Sequence, residues 1–225
     1  MKKIITLTVN PAIDKSTTVA GIQPNSKLRC EVPVYEPGGG GINVSRAINE
    51  LGGISLCIYM AGGPTGNHLR EMLARVSKIA QKEKAKLILD TSGEALLKGA
   101  QAGVYLLKPN LGELATLCGV KTISFLDVES VAKDFLKKNK CEVLVISLGS
   151  QGALLVTNEM IEHIAAPIVY QKSTIGAGDS MVAGMVYALA HGKSITDMVK
   201  YGVACGTAAT MTEGTQLCKK KDVEE

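Results

Sequence analysis

Short apolar runs rich in β-branched residues alternate along this chain with longer stretches in which apolar positions recur every three or four residues. The runs at 4–9, 54–60, 86–89, 104–107, 143–147 and 153–156 predict strands, and most are apolar at successive positions, so both of their faces need cover. The periodic stretches at 43–51, 65–85, 93–101, 112–118, 127–139 and 181–190 predict helices. Gly52-Gly53 supplies a stop for the first of these, because glycine takes the left-handed conformation cheaply. The alternation predicts an α/β fold: a three-layer α/β/α sandwich with a mainly parallel central sheet. No repeat, low-complexity tract or linker divides it, so residues 1–225 read as a single domain. In such sheets ligands gather beyond the carboxyl ends of the strands, which directs attention to the loops that follow them.

Two loops stand out. The first, Glu36-Pro37-Gly38-Gly39-Gly40-Gly41-Ile42-Asn43, runs into the predicted helix 43–51. Four successive glycines cost backbone entropy, a cost that a close approach of backbone to ligand would justify. Asn43 suits either a helix cap or a contact to a sugar hydroxyl. The second, Ser173-Thr174-Ile175-Gly176-Ala177-Gly178-Asp179-Ser180, leads into the apolar helix 181–190. Its small residues and the free N–H groups of a helix start would suit a phosphate. Asp179 fits a structural cap as readily as a reactive carboxylate.

Composition narrows the classes. The 225 residues are 46% hydrophobic and 20% charged, as in an ordered globular protein, and the formal charge of +4 makes no case for nucleic acid while leaving room for an anionic ligand. Lys219-Lys220-Lys221 is offset at once by Asp222, Glu224 and Glu225 and reads as a solvated tail. The six cysteines are scattered without a C-x-x-C pair, against zinc or a disulfide framework and in favour of a reducing, cytoplasmic setting. No apolar run approaches a membrane span, and the run at 4–9 is too short for a signal-peptide core. No G-x-G-x-x-G follows a strand, and His191-Gly192-Lys193-Ser194 lacks the earlier glycine of a P-loop because Tyr187 stands there. His68, His163 and His191 are isolated and give a catalytic triad no support.

Taken together, the loops resemble both signatures of the PfkB (ribokinase-like) carbohydrate kinase family. Gly39-Gly40-Gly41-Ile42-Asn43-Val44-Ser45, then Gly52 and Gly62, keep the spacing of one; Ser173 to Asp179, then Ala183-Gly184-Met185-Val186, keep that of the other. Lys108-Pro109-Asn110-Leu111-Gly112-Glu113 resembles the family's Asn-x-x-Glu element, and Ser147-Leu148-Gly149 with Gly152 its nucleotide-side strand and turn. The likeness runs from Lys3 to about Cys218. Lys27-Leu28-Arg29-Cys30, Tyr35-Glu36-Pro37 and Gly202-Val203-Ala204 resemble the branch that phosphorylates fructose 6-phosphate, and glycine at position 40, where relatives acting on fructose 1-phosphate or tagatose 6-phosphate often carry lysine, tilts the same way.

The resemblance implies ATP-dependent phosphorylation of fructose 6-phosphate to fructose 1,6-bisphosphate, with Mg2+ and a place for K+. Asp179 would be the catalytic base, and the amides of Gly176, Ala177 and Gly178 the anion hole. A carboxylate at a helix N-terminus is expected to have a low pKa, which a loose transition state tolerates. Asp14, Lys27, Arg29, Gly39, Gly40 and Asn43 would bind the sugar phosphate. Lys108, Asn110, Glu113, Ser147, Gly149, Gly152, Ser173 and Gly178 would serve the nucleotide, with Asn110 and Glu113 meeting magnesium through water. Ser173, Ile175, Ala209 and Gly214 match the monovalent-cation loop, although Thr212 and Gln216 replace its asparagine and arginine.

One departure is large. After Leu73-Ala74-Arg75-Val76 the family pattern jumps to Ser77-Lys78-Ile79-Ala80, an apparent internal deletion near residues 75–78. What it skips includes lid strands, an arginine for the sugar phosphate and at least one central strand–helix unit, so sugar binding is expected to weaken and ATP to be hydrolysed wastefully. In this family the lid often makes the dimer contact, so a homodimer is expected where the lid is present. Rival readings are a tagatose-6-phosphate kinase, a 1-phosphofructokinase, a nucleoside kinase, or a non-catalytic nucleotide-binding remnant.

Overall fold

The computed structural model of the chain describes residues 2–25, 27–59, 79–80 and 82–225. Most of the predicted helix 65–85, and the junction at 75–78, lie outside the described residues.

Strands β5 (Ile88–Leu89), β6 (Val104–Leu107), β7 (Cys141–Ser147), β8 (Ala153–Val156) and β9 (Ile161–Ile164) form a sheet in that order. β5, β6 and β7 run parallel, and β8 and β9 extend them antiparallel. Alternation along β7 divides the core. Val143 and Val145 pack on one face against helices α1 (Gly40–Glu50), α5 (Ala177–Ala190) and α6 (Ile195–Thr210). Leu144 and Ile146 pack on the other against α2 (Gly93–Ala102), α3 (Leu111–Leu117) and α4 (Val128–Lys138). Strands covered on both sides are apolar at every position, which is why β6 and β8 are buried throughout. This is the expected three-layer sandwich.

β1 (Ile5–Thr8) and β4 (Leu56–Tyr59) pair in parallel as a separate sheet. Among the described residues no hydrogen-bonded strand joins them to β5. Ile5 and Leu56 remain 62% and 60% exposed.

Several elements escape the sequence pattern. β2 (Ala12–Ser16) and β3 (Val34–Gly38) form an antiparallel pair outside the main sheet, so part of a lid-like ribbon is present. Pro37 stands opposite Ile13 in this two-stranded pair, a position where a missing N–H is tolerated. Helix α6 has Gly202 and Gly206 on the side that meets α5. A methyl group on Gly202 would fall 2.5 Å from Met185 Cγ, and one on Gly184 of α5 would fall 2.5 Å from Cys205 Sγ. The two helices therefore touch nearly backbone to backbone, which brings the C-terminal end of α6 beside the start of α5. The basic tail is also more ordered than the charge pattern implies: residues 220–224 form α7 (Lys220–Glu224), and Leu217 and Cys218 just before it are buried.

Helix α1 begins three residues before the expected start. Gly39, at φ 104°, caps it without a side-chain bond, and Gly40 and Gly41 form its first turn. It ends as predicted: the N–H of Gly52 bonds to Asn49 O at 2.9 Å and that of Gly53 to Ile48 O at 2.8 Å, the paired bonds of a glycine-terminated helix.

Candidate active site

Asp179 is the third residue of α5, after Gly176 at φ 77°. No side chain caps this helix, and the Asp179 carboxylate is not a cap either. It accepts a hydrogen bond from Asn43 Nδ2 at 2.9 Å. Asn43 lies one turn into α1, its own N–H bonded to Gly39 O, so it too is no cap. The N-terminal turns of α1 and α5 thus meet at one carboxylate. Each brings open N–H groups and the positive end of a helix dipole.

The glycines permit this approach. A Cβ on Gly41 would lie 2.6 Å from both Leu7 O and Thr8 Oγ1, so α1 sits directly on the end of β1. A Cβ on Gly40 would meet only Asp179 Oδ1, at 3.6 Å, so the absence of a side chain there keeps the space before the carboxylate open. The Asp14 side chain, on β2, covers Gly38 and adds a second acidic group near Asp179.

Lys108 leaves the end of β6 and is buried, with Nζ 3.2 Å from Asp90 Oδ1. A Cβ on Gly178 would stand 3.6 Å from that Nζ, so the ammonium lies against the expected anion hole. Asp90 follows β5 directly and was not among the sequence candidates. The rule that chemistry collects after strand ends would have found it.

Electrostatics here differ from the sequence expectation. Burial pushes the Asp179 carboxyl above the ordinary aspartate value, against the Asn43 hydrogen bond and Lys108, while Asp14 pushes it further up. The helix terminus does not make it a low-pKa group, because desolvation of the charged form dominates. Burial likewise raises Asp90 in spite of Lys108.

Other candidates take distinct places. Asn110 and Glu113 form a reciprocal capping box at the start of α3, with Asn110 Oδ1 accepting from Glu113 N at 2.8 Å and Glu113 Oε2 from Asn110 N at 2.9 Å. Among the described residues no group of three or more His, Cys, Asp or Glu side chains is placed to hold a metal ion. Ser147 ends β7, its N–H bonded to Pro109 O at 2.9 Å. Gly149 and Gly152 turn the chain into β8 at φ 62° and 90°. Ser173 N donates to Thr210 O at 3.2 Å and Ser173 Oγ to Gly214 O at 2.8 Å, which places the Ser173–Ile175 stretch beside the turn after α6 that follows Ala209. Within the expected anion-hole loop, Ala177 N reaches Thr174 O at 3.4 Å, and Gly178 is the glycine beside the Lys108 ammonium. Lys27 and Arg29 stand exposed between β2 and β3, and neither is hydrogen-bonded or ion-paired to the Asp179 cluster among the described residues.

A third group was missed altogether. Glu36 on β3 accepts from Arg46 Nη2 and from Thr215 Oγ1, joining the ribbon to α1 and to the turn after α6. Residues so far apart in sequence carry no local signal of such a contact.

The chain is similar to known proteins along nearly its whole length. The profile described as pfkB family carbohydrate kinase matches residues 69–222. The ATP-dependent 6-phosphofructokinase isozyme 2 of Escherichia coli (strain K12) is 34% identical over 302 positions, covering 100% of this chain and 98% of that protein. Those 302 positions exceed the chain's 225 residues by 77, positions at which the relative has residues and this chain has none. The 1-phosphofructokinase of Borreliella burgdorferi is 28% identical over 296 positions, covering 99% of this chain and 95% of that one. A crystal structure of phosphofructokinase-2 from Escherichia coli in complex with potassium superposes with a TM-score of 0.89 at 34% identity, covering 100% of this chain and 97% of that chain. With two helix starts converging on Asp179 and matches that span nearly the whole chain, the protein belongs to the pfkB family of carbohydrate kinases.

Proposed function

We propose that this chain transfers the γ-phosphoryl group of ATP to a hydroxyl of a sugar phosphate, with fructose 6-phosphate as the acceptor. The observation that carries this reading is the Asp179 carboxylate, oriented by Asn43 where the N-termini of α1 and α5 meet, with the Lys108 ammonium at the same helix start. An alcohol placed before Asp179 gives its proton to the carboxylate as its oxygen attacks the γ-phosphorus. The bond to the β,γ-bridging oxygen breaks, and ADP leaves. Open amides at the start of α5 and the Lys108 ammonium offset the charge on the moving phosphoryl oxygens. The raised pKa of Asp179 makes it a better proton acceptor than an ordinary aspartate.

Magnesium carried with the nucleotide would supply charge neutralisation and orientation of the phosphates. The second carboxylate oxygen of Glu113 suits contact through its water shell, since its other oxygen and the Asn110 amide oxygen are committed to the capping box. The backbone around Ser173, Ile175, Ala209 and Gly214 would hold potassium, a reading supported by the proximity of the two loops and by the potassium complex of the relative. The open space at Gly40 favours fructose 6-phosphate over acceptors whose kinases often fill that position with lysine.

A nucleotide-binding remnant is the second reading, favoured by the 77 unmatched positions and by the exposed apolar residues of β1 and β4. ADP release measured with fructose 6-phosphate, fructose 1-phosphate and tagatose 6-phosphate separates the two. Acceptor-dependent release, highest with fructose 6-phosphate, is expected; ATP binding with no acceptor-dependent release would leave the remnant.

A further inference from the structure

Beyond the groups that face the acceptor, a line of side-chain contacts runs from the turn after α6 to the Asp179 carboxylate. Thr215 Oγ1 donates to Glu36, and Arg46 Nη2 donates to the other oxygen of the same carboxylate. Arg46 Nη1 donates to Pro37 O at 3.0 Å and reaches Asn43 Oδ1 at 3.4 Å. Asn43 Nδ2 then donates to Asp179 Oδ2 at 2.9 Å. Asn43 and Arg46 are three residues apart and so share one face of α1.

We propose that Arg46 is a positioning residue for phosphoryl transfer, acting through Asn43 on Asp179, and that Glu36 and Thr215 hold Arg46 in that role. The proposal rests on the kinase reading above. The two ends of an asparagine amide are nearly alike in shape and opposite in hydrogen-bonding character. A guanidinium at the oxygen end fixes which end is which, so that the NH2 group faces Asp179. Arg46 is itself tied to a backbone carbonyl of β3 and to Glu36, so its planar fork has little freedom left. The β2–β3 ribbon and the turn after α6 are thereby connected to the orientation of the reactive carboxylate. Ser16 at the end of β2 also lies against Gly214, where a Cβ would meet it at 3.6 Å, so the ribbon touches that turn at a second point. Arg46 touches no reacting atom, and its effect is transmitted by geometry alone.

The test compares the parent chain with Arg46→Met, Arg46→Lys and Thr215→Val, reading acceptor-dependent kcat, KM for ATP and the side-chain amide resonances of Asn43. Arg46→Met should lower kcat about tenfold to a hundredfold, the loss of a charge-assisted hydrogen bond, with KM for ATP changed less than about threefold. Arg46→Lys should recover part of kcat, and Thr215→Val should give a smaller loss in the same direction. The Asn43 amide resonances should shift in Arg46→Met. Folded variants with parental kcat and unmoved Asn43 resonances would overturn the proposal. Should the parent itself show no acceptor-dependent turnover, the kinase reading fails. The catalytic part of the proposal falls with it, and the Asn43 resonances then decide only whether Arg46 orients Asn43: a shift supports that contact and no shift refutes it. If Arg46→Met does not fold, Thr215→Val and Arg46→Lys carry the same two readouts.

Discussion

Asn43 Nδ2 donates to Asp179 Oδ2 at 2.9 Å, from one helix start to another 136 residues later in the chain. This bond orders the chemistry of the site. It takes up one lone pair of a carboxylate in a partly desolvated setting and leaves Oδ1 facing the gap at Gly40. The remaining oxygen is the one placed to receive a proton.

Burial raises Asp179 above its ordinary value, so the fold disfavours its ionised form. For such a group the stability contribution is complete below the unfolded pKa and is lost as pH rises through the folded one. Replacing Asp179 with Asn should therefore raise the thermal midpoint at neutral pH. That advantage should shrink toward zero as pH falls through the ordinary aspartate range, where the parent carboxyl is protonated as well. Melting curves of the two proteins across that range check this. The acid limb of turnover should likewise lie above the ordinary aspartate pKa.

Lys108 and Asp90 make the other coupled pair. Burial outweighs Lys108 at Asp90 as well, so Asp90→Asn should hold or raise stability at neutral pH, with any gain shrinking as pH falls through the ordinary aspartate range. Lys108→Met should lower turnover about tenfold or more, since it removes the cation that lies against Gly178 at the start of α5. Denaturant unfolding and steady-state kinetics measure the two effects separately. An unchanged turnover in a folded Lys108→Met chain would contradict the assigned role.

Adjacent glycines in the first turn of α1 should respond differently to alanine. At Gly41 the new methyl would press on Leu7 O and Thr8 Oγ1 at 2.6 Å, so Gly41→Ala should destabilise by about 1–3 kcal/mol. At Gly40 the methyl would meet Asp179 Oδ1 at an ordinary 3.6 Å. Gly40→Ala should leave the thermal midpoint unchanged and raise KM for the acceptor. A fall in stability at Gly40 matching that at Gly41 would show that the gap before the carboxylate is a packing feature.

Much of this architecture was legible from pattern. The doubly covered strands β6 and β8 announce themselves by unbroken apolar runs, and both glycine loops stand out by their run of small residues before a helix. What escaped had physical reasons. Prolines and charged residues hide β2 and β3, whose exposed faces need no apolar alternation. Gly202 and Gly206 lower the helical signal of α6 because they serve its contact with α5. Asp179 looked like a low-pKa cap because its burial depends on α1 and Lys108, which sequence does not place beside it. The Thr215–Glu36–Arg46 contacts exist only once the ribbon and the C-terminal turn come together.

The most direct measurement is transfer of labelled γ-phosphate from ATP to fructose 6-phosphate by the parent chain and by Asp179→Asn, with ATP affinity determined on the same samples. Labelled fructose bisphosphate from the parent is predicted, falling about a hundredfold or more in Asp179→Asn while ATP affinity stays within about threefold. Equal product from both proteins would contradict the role given to Asp179, and no product from the parent at full ATP binding would contradict the kinase assignment itself.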